Sequence, residues 1–222
     1  MRSYGQYCAL ARALDVVGDR WTLLIIRELF ARDCRYSDLR EALPGIATNL
    51  LAARLRQLQV EGVIESYEAP PPVRATVYRL TPRGRELAPA LRSLVAWGAP
   101  LLTSGQAGDS FRTHWLALVL RILFKEVDVA DLAPLTVLLE TGDESASIEV
   151  TRDGVEIHLG DSSDPDVKVE GQPEGLFTLL SGTGGTRTPA GIRITGPREA
   201  VRRLHTLIAR SPMITQLSPA QS

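Results

Sequence analysis

The chain has 222 residues, 44% of them hydrophobic and 23% charged, an ordinary composition for a globular protein with material for one large core or two small ones. The longest apolar run, Trp115 to Leu120, is broken by Arg121; this excludes a membrane span. Two cysteines, Cys8 and Cys34, exclude a secreted disulfide framework, and with no leader-like apolar stretch at the N-terminus a cytoplasmic protein is expected. The net charge of −1 hides an asymmetry: residues 1–105 hold 14 Arg and 10 Asp/Glu, a net of +4, while residues 106–222 hold 11 Lys/Arg and 16 Asp/Glu, a net of −5.

In chain order, Cys8 precedes a first helix, and Trp21 opens a second that runs to about Arg32, where its ring is read as core. Arg35 to Leu43 is a short amphipathic helix closed by the Pro44-Gly45 turn. Thr48 to Glu61 follows as a helix with Leu51, Leu55 and Leu58 on one apolar stripe, and Gly62 stops it. Val63 to Tyr67 and Thr76 to Leu80 are strands around a Pro70-Pro71-Pro72 loop. Thr81-Pro82 supplies an N-cap and a first-turn proline for a long helix to about Leu102. Its Leu87, Leu91, Leu94 and Trp97 make a stripe suited to a partner helix. Helix, tight turn, helix and β-wing form a winged helix-turn-helix, which lays one helix in a major groove. The basic half of the chain is the half that carries it, as phosphate neutralisation requires.

Residues 103–109 are small and polar and read as a linker, dividing a domain over 1–105 from a connecting segment, 106–131, and a second domain over 132–222. In the connecting segment, Ser110 to Phe124 is a helix whose apolar positions nearly encircle it, so burial between domains or subunits is expected. Beyond it the period becomes two. Leu135 to Glu140, Ser147 to Thr151, Val155 to Leu159, Asp166 to Glu170 and Ile192 to Thr195 are strands, the second and third joined by the Arg152-Asp153-Gly154 turn. Glu174 to Leu180 and Pro197 to Arg210 are helices. The whole is α+β, and its second domain is expected to carry one antiparallel sheet.

With Leu51, Leu55 and Leu58 inward, Thr48, Asn49, Ala52, Ala53 and Arg56 face a groove. Asn pairs with adenine, Arg with guanine or phosphate, and alanine methyls pack on thymine methyls. Tyr36 and Ser37 are candidates for phosphate contacts, as are Arg74 and Arg79 near the wing; for Arg79 a solvated strand charge is the competing reading. Cys8 is a candidate reactive thiol if the helix start lowers its pKa, and a passive thiol otherwise. No catalytic or metal site is expected, and no cofactor. His114, His158 and His205 are scattered, the Asp161–Asp166 stretch lacks the calcium-loop glycine and ends at Gln172, and Gly182–Gly185 lacks a phosphate-loop lysine.

The first half resembles the HxlR family of bacterial winged-helix regulators. Cys8 to Leu14, Gly18-Asp19-Arg20-Trp21-Thr22-Leu23-Leu24-Ile25, Arg35 to Leu39, Gly45-Ile46, Leu51 to Leu58, Glu61 to Ile64 and Tyr78 to Gly84 carry the likeness over residues 5–100. The resemblance implies a homodimer on palindromic double-stranded operator DNA, paired through the N-terminal segment and the helix after the wing. It also implies the reading of Cys8 as a redox or electrophile sensor. Ala47 stands where the family usually has a capping serine, and Thr48 can cap one residue later. The second half resembles the sterol carrier protein domain, through Ser147 to Leu159, Asp166 to Leu176 and Gly191 to Val201. That implies a sheet and helices around an apolar pocket for a lipid-like effector, with Trp115, Phe124, Leu139, Ile148, Val150, Ile157, Phe177 and Leu180 as its wall. The same residues would equally form a plain core. Two function classes follow: a ligand-responsive transcriptional regulator, or a small-molecule carrier that uses the winged helix as a dimerisation scaffold.

Overall fold

The computed structural model describes residues 3–70, 74–98, 101, 111–124, 127–180 and 188–210. The chain divides into two compact units, Met1–Ser93 and Leu94–Ser222. The expected linker at 103–109 lies outside the described residues.

In the first unit, α1 (Ala9–Val17) and α2 (Thr22–Ala31) precede a short strand β1 (Cys34–Arg35), which leads directly into α3 (Tyr36–Ala42). After the Pro44-Gly45 turn comes α4 (Thr48–Val60), then β2 (Ile64–Glu68) and β3 (Thr76–Leu80). The three strands form an antiparallel sheet in the order β1-β3-β2, with Ile64 opposite Leu80 and Cys34 opposite Tyr78. Leu51, Leu55 and Leu58 of α4 are fully buried with Ile25, Ile26, Leu39, Ile64 and Leu80, so the stripe read from the sequence is the inner face of α4. Gly62 ends α4 at φ 66°, a conformation that costs glycine little.

Past the wing, Thr81 caps α5 (Pro82–Arg85): its hydroxyl accepts from Gly84 N at 3.1 Å and donates to Gly62 O at 2.6 Å. Gly84 is there because a Cβ would meet Val63 O at 2.1 Å. The single long helix expected from Pro82 is in fact two, α5 and α6 (Ala88–Gly98). Pro89 explains the break: it has no N–H for the carbonyl of Arg85 and its ring crowds that carbonyl. Pro89 therefore sits in the first turn of a new helix.

In the second unit, α7 (Thr113–Leu123) precedes β4 (Leu135–Thr141), β5 (Glu144–Thr151), β6 (Gly154–Leu159), β7 (Val167–Glu170), α8 (Pro173–Leu180), β8 (Arg193–Thr195) and α9 (Arg198–Ala209). The sheet order is β6-β5-β4-β7-β8. It is mixed rather than antiparallel throughout, because β7 runs parallel to β4, with Val137 opposite Val167 and Leu139 opposite Val169. After edge strand β6 the chain crosses to the far side of β4 instead of turning back. Asp166 fastens that crossing, accepting from Thr136 N at 2.8 Å. The alternation Val167-Lys168-Val169-Glu170 shows which face is buried but not the strand's direction or neighbour.

One face of this sheet presents Val137, Leu139, Ile148, Val150, Ile157, Val167 and Val169, and the helices close over it with Leu120, Phe124, Leu176, Leu180, Leu204 and Leu207. α7 packs on β5 and β6, and α9 on β4 and β7. Side chains tie the helices down: Glu144 accepts from Thr113 N at 2.6 Å, and Arg210 makes a two-pronged pair with Asp131 at 2.6 and 2.8 Å. Among the described residues no helix is long and apolar enough to cross a membrane.

Candidate nucleic-acid interface

α4 has one buried face and one open face. Thr48, Asn49, Ala53 and Arg56 are exposed and Ala52 is half-buried. Asn49, Ala53, Arg56 and Val60 fall at i, i+4, i+7 and i+11, which places them along a single stripe. Asn49 and Arg56 have no hydrogen-bond or ion-pair partner among the described residues. The helix begins without a side-chain cap: Ala47 is the N-cap residue, and no side-chain cap bond replaces it. Leu50 N and Leu51 N both donate to Ala47 O, at 2.9 and 3.0 Å, so the Thr48 and Asn49 amides are the ones left for solvent or an anion.

Two contacts hold α4 from outside its own core face. Tyr36, the first residue of α3, donates its phenol to Thr48 O at 2.8 Å. Arg54 forms an ion pair with Asp19 in the turn between α1 and α2, and its Nη1 donates to Gln57 Oε1 at 2.9 Å. Sequence reasoning passed over Arg54, because Asp19 is 35 positions away and only the fold brings them together. The hydroxyl of Tyr36, a phosphate candidate by sequence, is engaged with the start of α4 in the free protein. Ser37 is exposed beside it.

The wing supplies the other candidates. Arg79 is held by Glu65, Nε to Oε1 at 2.7 Å, and lies 5.0 Å over the Tyr67 ring. The Glu65 hydrogen bond and charge raise the Arg79 pKa. Tyr67 in turn donates to Asp33 Oδ2 at 3.0 Å, and that bond raises the phenol's pKa. Arg79 is thus a charged guanidinium paired within the wing sheet, with both side chains of the pair about half exposed. Arg74 is exposed at φ 34°, next to residues 71–73 of the proline loop, which lie outside the described residues.

The two cysteines separate cleanly. Cys8 is free and exposed, immediately before α1, with its carbonyl accepting from Arg12 N at 3.0 Å. Cys34 is buried, and burial pushes its thiol up to about 11. Trp21 sits half-buried against the first unit's core at φ 78°, in keeping with a packing residue.

Among the pocket-wall candidates, Phe124, Leu139, Ile148, Val150, Ile157, Phe177 and Leu180 converge on one buried cluster in the second unit, while Trp115 stays outside it, edge-on to His114 at 5.7 Å. The converging side chains are 9% exposed or less; they fill the space they line. Gly182–Gly185 lies outside the described residues. Among the described residues there is no group of three His, Cys, Asp or Glu side chains placed to hold a metal ion.

Comparison with known proteins agrees with this geometry. The family model described as HxlR-like helix-turn-helix matches residues 16–105. An HTH-type transcriptional regulator of Synechocystis is 40% identical over 101 residues, covering 44% of this chain and 73% of the relative. The HTH-type transcriptional regulator YvaP of Bacillus subtilis is 37% identical over 87 residues, covering 39% of this chain and 80% of YvaP. One from Mycobacterium tuberculosis is 40% identical over 90 residues, covering 40% of this chain and 56% of the relative. All three are named as regulators rather than enzymes, which accords with the non-catalytic reading of the histidines and acidic loops. The winged helix of the first unit, the open face of α4 and these matches have one meaning: the chain belongs to the HxlR-like helix-turn-helix family of transcriptional regulators.

Proposed function

We propose that the protein is a homodimeric, ligand-responsive regulator that reads a palindromic operator with α4. The observation that carries the DNA half is the exposed row of Thr48, Asn49, Ala53 and Arg56 on a helix whose opposite face is held in the core by its leucines. Its chemistry is that of direct readout: an amide for adenine, a guanidinium for guanine or phosphate, and methyls for thymine. Ser37 and Arg74 flank it as phosphate contacts, with Arg79 reaching DNA only if Glu65 lets go. The dimer is supported by apolar side chains left in solvent on two helices: Leu10 and Leu14 of α1, and Leu94 and Trp97 of α6. Exposed apolar rows of this kind are covered in a stable protein by a partner surface.

The second unit is assigned to effector binding on its resemblance to sterol carrier domains and on the apolar cluster its candidates form. Its effector is a small apolar molecule, and the carrier reading becomes the alternative if that molecule leaves DNA affinity unchanged. A second reading places the input at Cys8, favoured by its exposure ahead of α1 where Cys34 is buried.

The test is binding of the full chain to the duplex it enriches from a randomised DNA pool, and to random duplex, across a salt series. A regulator shows a sequence preference, and affinity that falls steeply with salt on both duplexes. No enrichment and a flat salt response would leave the winged helix as a scaffold.

A further inference from the structure

Asp19, Arg54, Gln57, Tyr36 and Thr48 form two struts on α4, and we infer that Arg54 and Tyr36 are positioning residues that set the pose of the reading helix. This rests on α4 being the reading helix, as argued above.

The buried leucines hold α4 to the core but leave it free to slide or roll by small amounts, since apolar packing has no direction. The struts remove that freedom at two points. At its N-terminal end, the Tyr36 phenol on the Thr48 carbonyl, 2.8 Å away, fixes where the helix begins. Six residues later, about 1.7 turns along, the Arg54 guanidinium reaches out of the helix to Asp19, while Gln57 on the next turn holds its Nη1 from the side at 2.9 Å.

Asp19 is a firm anchor. It lies between Gly18, where a Cβ would meet Leu14 O at 2.5 Å, and Trp21 at φ 78°, and its carbonyl accepts from Thr22 N at 3.1 Å. A turn that only a few backbone conformations can make does not drift. The Asp19 pair therefore ties α4 to the junction of α1 and α2, and the Tyr36 bond ties it to α3.

The pair is partly exposed, with side chains 20% and 50% accessible, and pairs of this kind add little to folding stability. Their effect is geometric. Base-edge hydrogen bonds tolerate little displacement, whereas phosphate attraction tolerates much. Loss of a strut should thus degrade sequence discrimination and spare general DNA affinity.

The experiment compares Arg54→Met, Asp19→Asn, Tyr36→Phe and the exchange Asp19→Arg with Arg54→Asp, all in the full chain. Each is titrated with the duplex that the wild-type protein enriches from a randomised pool, and with random duplex. Affinity for the enriched duplex should fall about tenfold in each single variant, by loss of part of a base contact, while random-duplex affinity changes less than about twofold for Asp19→Asn and Tyr36→Phe, which leave the cation count unchanged. The exchange should recover most of the discrimination lost in Arg54→Met, because the pair is restored with its charges reversed. Thermal unfolding separates the struts from simple misfolding: midpoints should stay close to wild type. Equal losses on both duplexes, or discrimination like wild type in Arg54→Met and Tyr36→Phe, would overturn the inference. Wild-type protein that enriches no sequence would instead overturn the reading of α4 itself.

Discussion

Replacing Arg56 with alanine tests the proposal that α4 reads DNA, because the spacing of its exposed side chains predicts the pattern of the effect. Arg56 lies seven residues after Asn49 on the same stripe, so the two Cα positions are about 10 Å apart along the helix axis. With successive bases on one strand about 3.4 Å apart, a helix lying along the groove would put the two side chains about three base steps apart. The preferred half-site should therefore show an adenine and a guanine at that separation. If Arg56 reads the guanine, each half-site loses about 1–3 kcal/mol, and a symmetric dimer about twice that. Competition binding with duplexes changed one base pair at a time would show the variant indifferent to the guanine position and as selective as wild type elsewhere. If Arg56 touches phosphate instead, all duplexes weaken alike and the salt slope of the dimer becomes shallower by about 1.8, two phosphates at about 0.9 each. Full affinity, selectivity and slope in Arg56→Ala would take Arg56 out of the interface and refute the assignment of this face.

Thr81→Val should lower the denaturation midpoint by the equivalent of about 1–2 kcal/mol, since it removes the cap on Gly84 N and the bond to Gly62 O; an unchanged midpoint would show the hydroxyl to be dispensable. Cys34 has its pKa raised by burial to about 11, so the fold favours the neutral thiol. Its contribution is complete below the unfolded pKa of about 9.0 and is lost as pH rises through about 11, at most about 2–3 kcal/mol. Cys34→Ala should flatten the alkaline limb of the stability profile, and equal limbs would refute the assignment. Alkylation of the native protein at pH 8 should label Cys8 and spare Cys34, read by mass spectrometry. Trp97→Glu should shift the sedimenting species toward monomer, and an unchanged species would remove α6 from the dimer contact.

What was legible in the sequence is what local chemistry writes there. Leu51, Leu55 and Leu58 declared the inner face of α4 by their spacing, and Thr76 to Leu80 declared a strand whose bounds match β3. Thr81-Pro82 marked a helix start with its cap and its proline together. Features that depend on a distant partner left no comparable mark. β1 exists only because Cys34 and Arg35 meet β3, and two residues carry no periodicity. The direction of β7 is decided by β4, some 30 positions earlier. In the sequence Arg54 is one more polar residue on a helix, and only the fold sets Asp19 against it. Pro89 is the exception, a local signal outweighed by the regular stripe from Leu87 to Trp97. That stripe divides in the fold, with Leu91 buried in the protein's own core and Leu94 and Trp97 exposed.

The packing of the second unit also constrains how an effector would act. Leu139, Ile148, Val150, Leu180 and Phe124 are each 2% exposed or less, so a ligand entering that cluster must move side chains already at close packing. Displacing them costs contacts that the ligand has to replace. The state that accepts ligand is then a minor one, and apparent affinity is the intrinsic affinity reduced by its population. Such a state shifts DNA affinity only if operator-bound and free protein differ in how often it opens, and linkage makes that shift reciprocal. Hydrogen exchange on β5 and α8, with and without the enriched duplex, reads that difference directly. Protection that is identical in both states would mean that the opening of this core is uncoupled from DNA, and any effector in it would be cargo rather than signal.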